Sequence, residues 1–176
     1  MAAVPSVFQG LIQTAESTFK AAVSEYTQNR IAANLNTLYS NAMTSHLFKM
    51  NGGISGFVSH TGVDGIFTFP FNAAIYQVFA YLETPGSSGT MTLDLKVSPF
   101  GTNTYTSIFT TAPSIQYTAA ASTSIYVGSS VANTTAPVLT SSPILVNQFD
   151  QIKMDVLSMQ SGSPQNGGLQ IFFYPR

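Results

Sequence analysis

Residues 73–99 carry the clearest alternation of apolar and polar positions in the chain. From Ala74 the even positions Ala74, Tyr76, Val78, Ala80 and Leu82 face one way, and Ile75, Gln77, Phe79 and Tyr81 face the other. Both faces are largely apolar, which predicts a central strand covered on both sides. Residues 83–89, with Pro85, Gly86 and Gly89, break this ladder. Met91, Leu93, Leu95 and Val97 then alternate strictly with Thr90, Thr92, Asp94, Lys96 and Ser98, giving one face for a core and one for water. The two stretches are expected to pair as a hairpin of fixed register. A slip by one residue would expose the four apolar side chains and bury Asp94 and Lys96.

Upstream the period changes. Ser6 followed by Gln9 fits a helix-capping pattern, so a helix is expected to begin near Val7. Phe8, Ile12, Ala15, Phe19, Ala22 and Tyr26 follow at spacings of 4, 3, 4, 3 and 4, the seam of a coiled coil or of a helix docked along its length. Glu16 stands four residues before Lys20 as a modest surface pair. Ile31, Leu35, Leu38 and Ala42 form a second, offset stripe. This leaves either one helix with a stutter or two helices joined near residues 28–30. The first stripe fits three surfaces, namely the core of its own domain, sister arms, or a separate shell. Asn51-Gly52-Gly53 reads as a hinge. It divides an N-terminal helical arm (1–50) for attachment or oligomerisation from a β domain (54–176), which is expected to fold without the arm.

Beyond the hinge the pattern is almost all strand. Strands are expected at 57–60, 66–71, 105–110, 137–139, 144–146, 151–157 and 169–174, with a turn at 62–65. Residues 119–135 read as a long loop holding one short strand around Ile125, Tyr126 and Val127. About eight short antiparallel strands with long loops predict a mainly β protein, an antiparallel jelly-roll β-sandwich with an N-terminal α-helical arm. No internal repeat suggests a propeller or solenoid.

The ending carries a resemblance. The run Val146-Asn147-Gln148-Phe149-Asp150-Gln151-Ile152-Lys153-Met154-Asp155-Val156, a Ser/Gly/Pro loop, and then Leu169-Gln170-Ile171-Phe172-Phe173-Tyr174 resemble the closing strands of jelly-roll domains in tailed-bacteriophage virion proteins. Capsid decoration (cement) proteins, head fibres and some receptor-binding tips share this style. In those domains a Gly often precedes the Asp, and here Phe149 stands in its place. The resemblance, over roughly residues 57–176, implies a non-enzymatic virion component. Such a protein would be made in the host cytoplasm, sit at the capsid surface as a homotrimer, and have the major capsid protein or another virion protein as partner.

Composition narrows the alternatives. The 176 residues contain no Cys and no Trp, which removes disulfides, thiolate metal sites and cysteine nucleophiles. Only 7% are charged and the net charge is -1, against about 25% charged in ordinary domains. Nucleic acid and anionic membrane are therefore not expected as partners. No apolar run approaches the ~20 residues of a membrane span, and Met1 to Pro5 lack a basic leader, so export is not expected. Asn133-Thr134-Thr135 then matches a glycosylation acceptor without consequence.

Catalytic patterns are poor. Ser59, His60 and Asp64 spell a triad but crowd one strand and turn, whereas a triad draws on separate elements. His46 has no carboxylate near it in sequence. Asp94, Asp150 and Asp155 lack cation-loop spacing. Gly52-Gly53 and 86–89 lack the Lys and helix of a phosphate loop. No catalytic residue, cofactor or metal is expected. Three classes remain: a structural virion protein anchored by its arm through Phe8, Ile12, Ala15, Phe19, Ala22 and Tyr26; a receptor- or glycan-binding module of a tail or head fibre using Tyr105, Tyr117 and Tyr126; and an enzyme, which the scarcity of titratable groups disfavours.

Overall fold

The computed structural model describes residues 6–41, 43–50 and 60–176, with side chains except at 6–12, 32–41, 60, 61 and 63. The chain divides into two compact units, Met1–Asn41 and Ala42–Arg176. In the first, α1 (Ser6–Asn41) is one continuous helix of 36 residues, roughly 54 Å long at ~1.5 Å per residue. The helix passes through 28–30 unbroken, so there are not two helices with a joint there. Three of its hydroxyls turn back on the helix: Ser17 and Thr18 donate to the Thr14 carbonyl and Thr27 to that of Val23.

The second unit is built of β1 (Thr44–Met50), β2 (His60–Thr68), β3 (Ala73–Thr84), β4 (Thr90–Ser98), β5 (Thr106–Ser107), β6 (Phe109–Thr111), β7 (Ser114–Gln116), β8 (Thr123–Tyr126), β9 (Thr134–Thr135), β10 (Val138–Leu139), β11 (Ile144–Val146), β12 (Gln151–Ser158) and β13 (Gln165–Pro175). One sheet runs β1-β13-β3-β11, with β8 also on β3. The other runs β2-β12-β4-β7-β9, with β5 also on β4, and β6 pairs with β10 apart from both. The pairings are antiparallel. The long strands alternate between the sheets, since β1, β3, β11 and β13 belong to the first and β2, β4 and β12 to the second. The fold class is thus mainly β, an antiparallel sandwich of the jelly-roll kind with one N-terminal helix.

One core lies between the sheets. Phe48, Met50, Val78, Leu82, Leu169, Ile171 and Phe173 from the first sheet join Met91, Leu93, Leu95, Ile115, Ile152, Met154 and Val156 from the second in one buried cluster. Phe69 is fully buried, and its ring meets Phe67 and Phe173 edge-on at 5.0 and 5.2 Å, geometry that the ring quadrupoles favour. At Gly168 a Cβ would sit 2.0 Å from the Phe48 carbonyl oxygen, so β1 and β13 approach closely only because no side chain stands there.

Several expectations are corrected. β3 and β4 do not form a hairpin: β3 pairs with β13, β11 and β8, and β4 with β12, β7 and β5. The 83–89 segment crosses from sheet to sheet, and the two alternations face one core from opposite sides. The 1–50 and 54–176 division also moves, because Thr44–Met50 is a strand registered along β13 from Thr44↔Phe173 to Met50↔Gly167. The arm ends at Asn41 and the β unit starts at Ala42. The turn expected at 62–65 is instead an irregular part of β2, where Gly62, Asp64 and Gly65 take positive φ and the pairing with β12 shifts register, as at a bulge. The strand expected at 105–110 divides into β5 on β4 and β6 on β10. The Asn51-Gly52-Gly53 hinge and residues 57–59 lie outside the described residues.

Candidate functional site

Every described α1 side chain, from Gln13 to Ile31, is exposed. Phe19 is 70% exposed, Tyr26 63% and Ile31 55%. Ala15, Phe19, Ala22 and Tyr26 share one face at the helical period, while Phe8 and Ile12 lie on the same helix with side chains outside the described residues. Arg30 reaches back along the face, its guanidinium carbon 5.8 Å from the Tyr26 ring centroid. Large apolar side chains on an uncovered helix are a liability for a protein with so few charges.

The charged groups of β4 and β12 are engaged with one another. Asp94 on β4 and Asp155 on β12 are direct cross-strand partners, 5% and 3% exposed. Lys96 Nζ lies 2.8 Å from Asp155 Oδ2 and 3.8 Å from Asp94 Oδ2, and Lys153 Nζ lies 3.7 Å from Asp155 Oδ1. Ser107 Oγ donates to Asp94 and the Gly62 N–H to Asp155. Lys153 Nζ also stands 4.4 Å from the Tyr105 ring centroid, a cation–π contact, and the Tyr105 hydroxyl donates to Gln151. The face expected to meet water is therefore covered around Asp94, and two carboxylates are balanced by two ammonium groups. Hydrogen bonding to Asp155 pushes the Lys96 pKa up, against the opposing effect of burial.

Asp150, Asp64 and His46 also have partners within the β unit, and the His60 side chain lies outside the described residues. Asp150 accepts from the Phe100 and Asn147 N–H groups and does not join Asp94 and Asp155. Asp64 accepts from the Lys49 N–H, and Ser59 lies outside the described residues. His46 stacks on Phe67 at 4.2 Å and meets Phe48 edge-on at 4.6 Å; burial lowers its pKa, offset in part by Asp64. Among the described residues no cluster of three or more His, Cys, Asp or Glu could hold a metal ion, and no helix is long and apolar enough to cross a membrane.

The outer face of the first sheet carries what the sequence reading did not single out. Phe79 packs against Tyr126 and Phe172 with centroids 5.3 and 5.2 Å apart, and Tyr76 against Tyr174 at 5.6 Å. Beside this strip, Lys49, Tyr81, Glu83, Asn166 and Gln170 line a shallow hollow, in which Asn166 donates to Glu83. Burial and the charge of Asp64 push the Tyr81 pKa up. The signal was present in the apolar odd positions of β3, which read as a covered face. The three tyrosines of the binding-module reading do not converge: Tyr126 belongs to this sheet, Tyr105 packs on Lys153 of the other, and Tyr117 lies beyond β7 with its N–H on the Gly89 carbonyl.

No protein-family model matches the chain, and no curated protein matches it. Among solved structures it is similar to the capsid of Ralstonia phage GP4, with 12% sequence identity, a TM-score of 0.46, and coverage of 77% of this chain and 86% of that one.

Proposed function

We propose that this chain is a non-enzymatic structural component of a phage virion, a decoration protein that attaches at the capsid surface through α1 and associates with itself as a homotrimer. The observation that carries the proposal is the exposed stripe of Ala15, Phe19, Ala22 and Tyr26 on α1. Burying Phe19 and Tyr26 is worth about 1.5–3 kcal/mol each before ordering costs, enough to hold arms together, and arms so joined present several copies to a particle at once, so that weak contacts add by avidity. The β unit supports the same reading. Its carboxylates Asp94, Asp150 and Asp155 are held by strand and loop partners, as groups that stabilise a scaffold are. The partner is the major capsid protein or another virion protein.

The closing strands support the virion reading from a second direction. Phe149 takes a φ of 70°, the left-handed region that glycine favours, and it occupies the position where the resembled jelly rolls often carry Gly. An alternative reading, a receptor- or glycan-binding module, draws on the hollow of Lys49, Tyr81, Glu83, Asn166 and Gln170, a set of polar groups around an aromatic ring.

Co-sedimentation with phage particles lacking the native protein tests the proposal. The wild-type chain is expected to pellet with the particles and Phe8→Ser, Phe19→Ser to remain in the supernatant. Equal binding by both would move attachment to the β unit, and saturable glycan binding lost in Tyr81→Ala would favour the alternative.

A further inference from the structure

We infer that the partner of the α1 stripe is α1 of further copies of this chain, associated parallel and in register over residues 8–26. This deepens the attachment role proposed above and rests on it for its biological setting. The seam spacing places Ile12, Phe19 and Tyr26 at the a positions of a heptad and Phe8, Ala15 and Ala22 at d. Glu25 then falls at g, and Arg30 falls at e of the following heptad. Those two positions meet across the interface of a parallel, in-register coiled coil.

Both groups are exposed on the unbroken helix, and Arg30 lies over the Tyr26 ring at the edge of the seam. The other pairs of this kind, Thr18 with Val23 and Leu11 with Glu16, contain no like charges. An antiparallel alignment over the same seam instead sets Glu25 of one copy near the partner's Leu11, where no base stands. The charge pattern therefore selects direction as well as partner. Ala15 and Ala22 leave room at d between the large a layers, so helices can approach closely there. The seam closes at Tyr26, because Ile31 lies roughly 140° around the helix at ~100° per residue.

The chain contains no Cys, so one introduced thiol reports geometry without background. In the full-length protein, Ala22→Cys is expected to form a disulfide-linked dimer on oxidation much faster than Ser24→Cys, which points away from the seam. In a trimer one thiol in three stays free for alkylation. An equimolar mixture of Ile12→Cys and Ala22→Cys is expected to give the Ala22→Cys homodimer over the mixed species. Glu25→Arg should weaken self-association about tenfold, and adding Arg30→Glu should restore it. Equal crosslinking of the two single variants, a predominance of the mixed disulfide, or no rescue by the second charge reversal would each overturn the inference. Failed crosslinking with particle binding intact would remove only self-association, and crosslinking without particle binding would remove only the virion role.

Discussion

Asp94 and Asp155 stand opposite each other on neighbouring strands, both buried, and the ammonium group of Lys96 reaches the two carboxylates. Two like charges facing across a ladder are destabilising unless a cation lies between them. Lys96→Met is therefore expected to lower the unfolding free energy by about 3 kcal/mol, measured by urea denaturation. Adding Asp155→Asn should recover part of the loss, because one uncompensated carboxylate is removed. The Lys96 pKa is raised, so its contribution is fully present below the ordinary lysine value and disappears only as pH rises through the raised one. The effect should be constant from pH 6 to 8.

His46 gives the opposite sign. Its pKa is lowered by burial against Phe67 and Phe48, so the unfolded chain binds the proton more readily than the folded one. Its contribution to stability is present above the ordinary histidine value of ~6.5 and is lost as pH falls through that value toward the lowered one. Wild-type stability should drop between pH 7.5 and 5, and His46→Phe should show a smaller drop in thermal melts over the same interval.

Truncation separates the two units. Residues 43–176 keep β1 and are expected to fold, with a cooperative melt. Residues 54–176 lack Phe48 and Met50, which are almost fully buried, and leave β13 without its neighbour. The loss of about 1.5–3 kcal/mol for each of those side chains should leave that fragment without a cooperative transition by circular dichroism.

Phe149 bears the strain of its positive φ while its ring meets Phe100 at 5.7 Å. Relief of roughly 1 kcal/mol of left-handed strain competes with loss of a half-exposed ring contact. Phe149→Gly should be neutral to stabilising, and Phe149→Val destabilising by about 1 kcal/mol or more. Paired melting curves distinguish the two.

The period of each long element was legible in the sequence because side-chain alternation reports burial directly. The buried faces of β4 and β12 and the helical period of α1 follow from it. Strand partners were not legible, since Leu82 and Met91 alternate identically whether their strands pair edge to edge or face each other across a core. β1 was hidden because Thr44–Met50 is short, follows a helix, and acquires its register only from β13. The cover over Asp94 was hidden for a related reason: it comes from Ser107 on another strand, and a contact of that kind leaves no periodic trace. The exposed stripe was the one candidate surface that spacing alone could mark, because a helix writes its face at 3 and 4.

Light scattering of the intact chain beside residues 43–176, at equal micromolar concentration, tests the role of α1 most directly. Three times the 18.7 kDa chain mass is expected for the intact protein, a single-chain mass for residues 43–176, and a single-chain mass for the full-length Phe19→Ser, Tyr26→Ser variant. A single-chain mass for the intact protein, or the same multiple with and without the helix, would contradict that role.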